Sequence, residues 1–170
     1  MIWEEGLRKV DRMKVTSLRT RFGRVDVCEE GPRVQGIVLT NDTEYQGDEP
    51  QTELSRDLLR YFEGEPVDFS RYDVDLSRYT PFEVQVLQAT RRIPYGSVKS
   101  YKEIAEEIGR PRAYRAVAYT LSKNRSCIVI PCHRVVGSGG DLGGFSSGVE
   151  WKVGLLKLEG VLKEPDYLRA

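Results

Sequence analysis

The spacing of apolar residues changes part-way along this chain, and that change constrains the fold more than any other feature of the sequence. Before residue 41, segments rich in Val, Leu and Ile alternate with short turns, which predicts an antiparallel meander of strands. The predicted strands cover residues 14–20, 23–29 and 33–40. After a polar gap, Leu54, Leu58 and Phe62 recur at helical spacing, so we expect one helix that ends at Gly64.

An extended and polar stretch separates this first part from the rest of the chain. Residues 67–79 contain many Asp and Tyr residues, which predicts a connection that runs over the surface. Thr80 and Pro81 then supply an N-cap and a tolerated first helical residue, so a new helix begins there. We therefore expect an N-terminal α/β domain over 1–79 and a C-terminal domain over 80–170.

The second domain is predicted to be mainly helical. Ser100 and Glu103 form a capping box for one short helix, and a further helix is predicted over 111–122. Two short helices joined by a glycine-containing turn are typical of a helix-turn-helix, although an ordinary helical hairpin explains the pattern equally well. Ser147 and Glu150 predict a further capping box at the start of the last helix. The second helix of the pair carries three basic residues: Arg112, Arg115 and Lys123.

The charge of the chain is balanced in total but not in its distribution. With 26 basic and 26 acidic residues, the formal charge is zero, which by itself argues against a strongly polyanion-binding protein. From Arg91 to Arg134, however, ten Lys and Arg residues occur with only three acidic residues, and such asymmetry is a recognised sign of nucleic-acid contact.

The cellular setting is predicted from two further properties of the sequence. No segment approaches the roughly 20 apolar residues needed to cross a bilayer. The three cysteines show neither a disulfide pattern nor a C-x-x-C metal motif. We therefore expect a cytoplasmic protein without membrane association.

The chemistry is predicted from the segment Pro131-Cys132-His133-Arg134, which places the only histidine of the chain beside a cysteine. Histidine suits general-base work near neutral pH, and a thiol needs such help to become a nucleophile. Neighbouring residues of an extended segment point apart, so we expect relay through a water or a sharp turn rather than direct contact. Glu159 opposes the dipole of the last helix, which would be explained if it oriented the histidine.

Less reactive interpretations of these residues remain open at this point. A cysteine beside an apolar run is more often a small buried hydrophobic residue, and this applies more strongly to Cys28 and to Cys127, which we expect within a strand. A zinc site formed by Cys127, Cys132 and His133 lacks a fourth ligand with suitable spacing. Arg134 could equally be a structural ion-pair partner.

Several further segments accompany the cysteine and histidine. They are Tyr61-Phe62-Glu63-Gly64, Thr80-Pro81-Phe82, Ile93-Pro94-Tyr95-Gly96-Ser97-Val98, Tyr101, Arg115-Ala116-Val117, Asn124, Ile130-Pro131-Cys132-His133-Arg134-Val135, Leu155-Leu156 and Glu159-Gly160. Together they resemble the O6-alkylguanine-DNA alkyltransferases, which are self-sacrificing DNA repair proteins. The first 60 residues match weakly, so a ribonuclease-H-like N-terminal domain is implied by the family alone.

The resemblance implies a transfer without turnover, cofactor or metal. Cys132 would accept the alkyl group of O6-alkylguanine, with O4-alkylthymine as a further candidate substrate. His133 would act through a water as the base, held by Glu159. Tyr101 would donate a hydrogen bond to the guanine ring, and Asn124 would brace the turn that carries the cysteine.

The resemblance also implies how DNA is bound. A monomer would engage double-stranded DNA through the minor groove and flip the damaged nucleotide out of the stack. Arg115 would fill the vacated space, and the main chain of Ser146 would contact the guanine oxygen. Further candidates for substrate or DNA contact are Phe145, Arg134, Tyr114, Ala118, Arg112 and Lys123.

This chain departs from the family pattern at a few of these positions. Phe145 replaces a usual tyrosine, Tyr114 a usual alanine and Arg125 a common proline, while Ala118 and Tyr119 stand where many relatives have glycine next to a small residue. These changes bear on DNA affinity and lesion range. Two rival functions remain, a lesion binder that transfers nothing and a thiol hydrolase that turns over.

Overall fold

The computed structural model describes residues 13–42 and 44–163. Its first three strands form the predicted antiparallel meander. They are β1 (Met13–Thr20), β2 (Gly23–Glu30) and β3 (Arg33–Thr40). Alternate residues such as Val25 and Val27 are buried on one face of the sheet, because side chains of a strand point to opposite faces.

One helix, α1 (Glu53–Phe62), covers the buried face of this sheet, as predicted. It starts at Thr52, whose side chain accepts a hydrogen bond from the Ser55 backbone in a reciprocal capping box. Leu54 and Leu58 lie on its buried side and join the apolar core beneath the sheet. The α/β class of the N-terminal part is confirmed.

The connection over 67–79 runs over the surface as predicted, but it is anchored to the core at two points. A short strand, β4 (Asp73–Val74), pairs in parallel with β3 and adds a fourth strand to the sheet. Phe69 and Val74 are both buried in the core. This strand was not predicted, because two apolar side chains in a polar stretch suffice to anchor it.

The C-terminal part is mainly helical, as predicted. Thr80 and Ser100 each make the capping-box hydrogen bonds at the starts of two helices. The elements in chain order are α2 (Pro81–Arg91), β5 (Lys99–Ser100), α3 (Tyr101–Glu107), α4 (Tyr114–Ser122), β6 (Val135–Val136) and α5 (Val149–Leu158). Helices α3 and α4 pack against each other and against α2, which gives the predicted helix-turn-helix arrangement.

Two helix starts were predicted incorrectly. Helix α4 begins at Tyr114 rather than at residue 111, and its N-cap Ala113 has no side-chain acceptor to offer. Arg112 therefore lies in the turn before the helix. Helix α5 is capped by Gly148, whose φ of 110° moves the start one residue beyond Ser147, so the predicted Ser147–Glu150 capping box does not form.

The apolar run before the active-site motif is a compact loop rather than the predicted strand. Ile128 has a φ of 75°, which reverses the chain, and Cys127 makes an isolated bridge to Ile130. A short 3-10 turn, Cys132–Arg134, follows directly. Local apolar composition could not predict this loop, because a positive φ is uncommon for a β-branched residue.

A single cluster of buried apolar side chains extends from the sheet into the C-terminal helices. The Ile37 backbone N–H donates to the Arg125 carbonyl oxygen at 2.8 Å, which ties the sheet to the loop before the motif. The domain boundary near Tyr79 stays a prediction. Within the described ranges, no helix has both the length and the apolar character required to cross a bilayer.

Candidate active site

The turn that carries Cys132 is braced by Asn124. The Asn124 side-chain amide donates to the Ile130 carbonyl oxygen at 2.9 Å, and its side-chain oxygen accepts from the Ser126 backbone at 3.0 Å. Asn124 is itself buried, so both hydrogen bonds are shielded from water. This is the position that the family resemblance implies for Asn124, and its part in the reaction stays a prediction.

Cys132 lies at the wall of a cavity of about 310 Å³. Four other predicted residues line the same cavity, namely Tyr101, Ala118, Phe145 and Ser146. Its remaining lining comes from Leu121, Ser122 and Gly144. Because Ala118 and Leu121 belong to α4, the second helix of the helix-turn-helix forms one side of the thiol pocket.

The thiol has surroundings that favour its anionic form. A hydrogen bond from the Cys127 thiol lowers the pKa of Cys132, burial opposes this, and Asn124 and the Lys152 charge lower the pKa further. The same contact and burial raise the pKa of Cys127, so Cys132 is the thiol that ionises. Ser147 hydrogen-bonds to Cys127.

Lys152 is a fully buried lysine that the sequence reasoning missed. Its ammonium donates to the carbonyl oxygens of Val135 at 2.7 Å and Gly144 at 3.2 Å, and it approaches the Tyr101 hydroxyl at 3.5 Å. Burial lowers the pKa of Lys152 to about 8. The signal in the sequence was a lysine on the apolar side of the last helix, where Trp151 and Leu155 are buried too.

His133 and Glu159 form the predicted pair on the other side of the turn. The His133 Nε2 lies 2.6 Å from Glu159 Oε2, and both side chains are fully buried. Since Oε2 is an acceptor, Nε2 carries the proton and Nδ1 is free to accept one. Nδ1 has no hydrogen-bond partner among the described residues, which agrees with the prediction that His133 does not contact the thiol directly.

The pKa values of this pair follow from burial and from Arg134. Burial lowers the pKa of His133, although Glu159 pulls it upward. Burial would raise the pKa of Glu159, but His133 and Arg134 outweigh it and lower the pKa to about 2. The pair is therefore a neutral imidazole beside an ionised carboxylate, which is the state a general base requires.

Glu159 has enough donors to explain its position at the C-cap of α5. Arg134 donates through Nε to Oε1 at 2.8 Å and through an amino group to Oε2 at 3.1 Å, and the Gly96 backbone donates to Oε1 at 3.1 Å. The Tyr61 hydroxyl donates to Oε2 at 2.6 Å. Sequence reasoning included Tyr61 only as part of a family motif and gave it no role.

Arg134 is a correction to the predicted DNA-contacting set. Its side chain is 7% exposed and is engaged by Glu159, and it also donates to the Ile93 carbonyl oxygen at 2.7 Å. The structural ion pair, which the sequence left open as an alternative, is what forms. A buried guanidinium with these partners has no surface to offer to DNA.

The other predicted DNA-contacting residues lie on or beside α4. Arg112, Tyr114, Arg115 and Lys123 are exposed. The Arg115 guanidinium lies 6.0 Å from the Tyr114 ring centre, and Lys123 pairs with Glu83. Tyr114 and Arg115 belong to the helix that forms one wall of the thiol pocket, while Arg112 precedes this helix and Lys123 follows it. Their contact with DNA stays a prediction.

Cys127, Cys132 and His133 do not form a zinc site. Within residues 13–42 and 44–163, no group of three or more His, Cys, Asp or Glu side chains is placed to hold a metal ion. Cys28 lies on β2 and does not line the cavity that contains Cys132. The expectation of a metal-free protein stays a prediction.

Comparisons with known sequences agree with this arrangement. The family described as "6-O-methylguanine DNA methyltransferase, DNA binding domain" matches residues 81–161. A methylated-DNA–protein-cysteine methyltransferase of Methanosarcina barkeri is 47% identical over 108 residues, which are 63% of this chain and 66% of that protein. One from Methanosarcina acetivorans is 43% identical over 120 residues, which are 70% of this chain and 75% of that protein.

Solved structures extend the likeness to the N-terminal part. The Mycobacterium tuberculosis OGT in complex with DNA is 34% identical, with a TM-score of 0.73 over 84% of this chain and 90% of that one. The O6-methylguanine-DNA methyltransferase of Pyrococcus kodakaraensis is 26% identical, with a TM-score of 0.67 over 88% and 99% of the two chains. On this evidence the chain belongs to the methylated-DNA–protein-cysteine methyltransferase family.

Proposed function

We propose that the protein repairs double-stranded DNA by moving the alkyl group of O6-alkylguanine onto Cys132. The observation that carries this proposal is that an ionisable buried thiol opens into a pocket walled by the second helix of a helix-turn-helix. A duplex bound on that helix would lie next to the thiol. Phosphate contacts by exposed basic side chains would position it without reading sequence.

The reaction starts with proton transfer. The Cys132 proton passes through a water to His133 Nδ1, which has no hydrogen-bond partner in the described part of the chain. Glu159 stabilises the resulting imidazolium across the 2.6 Å contact with Nε2. Asn124, Cys127 and Lys152 stabilise the sulfur anion.

The transfer step forms one bond and breaks another. The sulfur attacks the alkyl carbon, the carbon–O6 bond breaks, and its electron pair stays on the guanine. Tyr101 lines the pocket, and its hydroxyl donates a hydrogen bond that stabilises the negative charge developing on the guanine. Burial raises the pKa of Tyr101, so its hydroxyl stays protonated for this role. The product thioether is a poor electrophile, and each protein molecule therefore reacts once.

The substrate must leave the base stack before it can react. A target atom inside a duplex is out of reach, and extruding the nucleotide costs a few kcal/mol. Arg115 lies exposed on α4 and would occupy the vacated space, which offsets part of that cost. Since damage arises in any sequence, binding by one protein copy through the minor groove, with its degenerate base pattern, suits the task.

Mass spectrometry tests the proposal directly. After mixing with a duplex that contains one O6-methylguanine, we expect a gain of one methyl group, located on Cys132 and absent from Cys127 and Cys28. Cys132→Ala should still bind the duplex and gain nothing. An unmodified Cys132 would indicate a lesion binder that transfers nothing, and demethylation of excess substrate would indicate a hydrolase.

A further inference from the structure

The N-terminal domain contributes one side chain to the base network. Tyr61, near the end of α1, is fully buried. Its hydroxyl donates to Glu159 Oε2 at 2.6 Å and lies 3.4 Å from His133 Nε2. The same carboxylate oxygen therefore accepts hydrogen bonds from Tyr61 and from His133.

The position of this hydroxyl is fixed by its ring. Phe62, Phe69 and Tyr95 pack edge-on against the Tyr61 ring, at centroid distances of 5.4, 5.8 and 6.1 Å. Such close packing restricts the movement of the side chain. Burial and the nearby Glu159 raise the pKa of Tyr61 well above its ordinary value, so the hydroxyl remains a donor at every pH at which the protein works.

We propose that Tyr61 is a positioning residue of alkyl transfer. Its hydroxyl holds the Glu159 carboxylate against His133, so the N-terminal domain helps to orient the general base. This inference rests on the proposed function. Tyr61 acts through Glu159 and does not touch the reacting atoms.

The hydroxyl has a defined electrostatic effect on the histidine. By donating to Oε2, it takes up part of the negative charge that would otherwise attract a proton onto the imidazole. Removing the hydroxyl strengthens the pull of Glu159 and raises the pKa of His133. The charged and titratable groups that act on His133 from the surrounding elements are Glu159, Arg134, Lys152 and the Tyr61 hydroxyl.

The substitution Tyr61→Phe tests this effect because it keeps the ring. Tyr72→Phe is a matched control, since the Tyr72 hydroxyl also donates to a carboxylate at 2.6 Å, that of Asp57 on the same helix, away from the site. His133 is the only histidine of the chain, so its imidazole proton resonances report its titration without assignment. We expect the His133 titration midpoint to rise by about one pH unit in Tyr61→Phe and to stay unchanged in Tyr72→Phe.

The rate of alkyl transfer should follow the titration. On the acid side of the midpoint, we expect repair of a duplex with O6-methylguanine to slow about tenfold in Tyr61→Phe, because less neutral imidazole is present. At alkaline pH the two rates should approach each other. A general loss of structure would instead lower the rate at every pH.

Clear outcomes overturn the inference. An unchanged His133 midpoint in Tyr61→Phe, or an equal shift in Tyr72→Phe, contradicts it. If Tyr61→Phe does not fold, 3-fluorotyrosine at residue 61 alone replaces it; as a stronger donor it should lower the midpoint, and no shift refutes the role. The titration needs no DNA, so a failure of alkyl transfer in the wild-type protein is distinguishable from a failure of this inference.

Discussion

Replacing Lys152 by methionine tests the electrostatic basis of the reactive thiol. The substitution removes a buried cation and keeps an unbranched side chain of similar length. The Lys152 charge lowers the pKa of Cys132, and at neutral pH a lysine with a pKa of about 8 is mostly ammonium. The Lys152 side chain is fully buried, so its charge is weakly screened.

We expect Lys152→Met to raise the pKa of the Cys132 thiol by about one unit. At neutral pH, about tenfold less thiolate is then present, and alkyl transfer slows by about the same factor because the thiolate is the nucleophile. The difference in rate between Lys152→Met and the wild-type protein should shrink as the pH rises, because Cys132 then becomes fully ionised in both. The carbonyl oxygens of Val135 and Gly144 lose their hydrogen-bond donor, which lowers the folding stability by about 1 to 3 kcal/mol each. The variant no longer has to bury an ammonium group, and this offsets part of the loss.

The assay follows the alkylation of Cys132 by iodoacetamide across neutral and alkaline pH, with the modified peptide measured by mass spectrometry. Lys102→Met is a matched control, because Lys102 is an exposed lysine on α3 and its removal changes the net charge equally. An unchanged midpoint in Lys152→Met would refute the reasoning. An equal shift in the control would assign the effect to net charge instead of position.

Three further predictions concern the thiol contact, DNA and acid. Cys127→Ala should raise the pKa of the Cys132 thiol, and Cys127→Ser should restore it, since serine keeps a hydrogen-bond donor. The iodoacetamide titration measures both pKa values. A wild-type midpoint in Cys127→Ala would contradict the thiol contact. Arg115→Ala should slow repair of duplex DNA more than reaction with free O6-benzylguanine, and equal losses in the two rates would exclude the intercalating role. In urea unfolding, the lowered pKa of His133 should reduce stability as the pH falls below 6.5, its ordinary value. Glu159 has a pKa of about 2 against an ordinary 4.5, so its protonation should lower the free energy of unfolding by about a further 3 kcal/mol as the pH falls from 4.5 to 2. A free energy of unfolding that does not change with pH would contradict both the His133 and the Glu159 effects.

The regular elements were predictable because their signals are local. The three strands of the meander and the capping boxes at Thr80 and Ser100 are set by residues adjacent in sequence. The start of α5 was not, because it depends on a positive φ at Gly148. Strand β4 was missed for a related reason, since its pairing with β3 is decided by distant residues.

The site divides in the same way. Glu159 could be connected to His133 because a carboxylate at a helix C-terminus needs a compensating partner. Lys152 and Tyr61 gave weaker signals, since a lysine is normally solvated even on a helix with apolar neighbours, and a tyrosine beside Phe62 is normally core. Their roles depend on burial, and that of Tyr61 depends on a contact with Glu159, 98 residues further along the chain. No local sequence pattern predicts such a contact.

Among the described residues, the buried cations Arg134 and Lys152 have different partners: Arg134 pairs with Glu159, and Lys152 lowers the pKa of Cys132. An ionised Glu159 acting alone would draw a proton onto His133 and remove the base. Arg134 prevents this by engaging both carboxylate oxygens, and its own charge lowers the pKa of His133. Lys152 is not engaged by Glu159 and hydrogen-bonds to carbonyl oxygens, so its charge remains available to the sulfur. Removing Arg134 would raise the pKa of His133, and removing Lys152 would raise the pKa of Cys132, so the base and the nucleophile depend on these two cations.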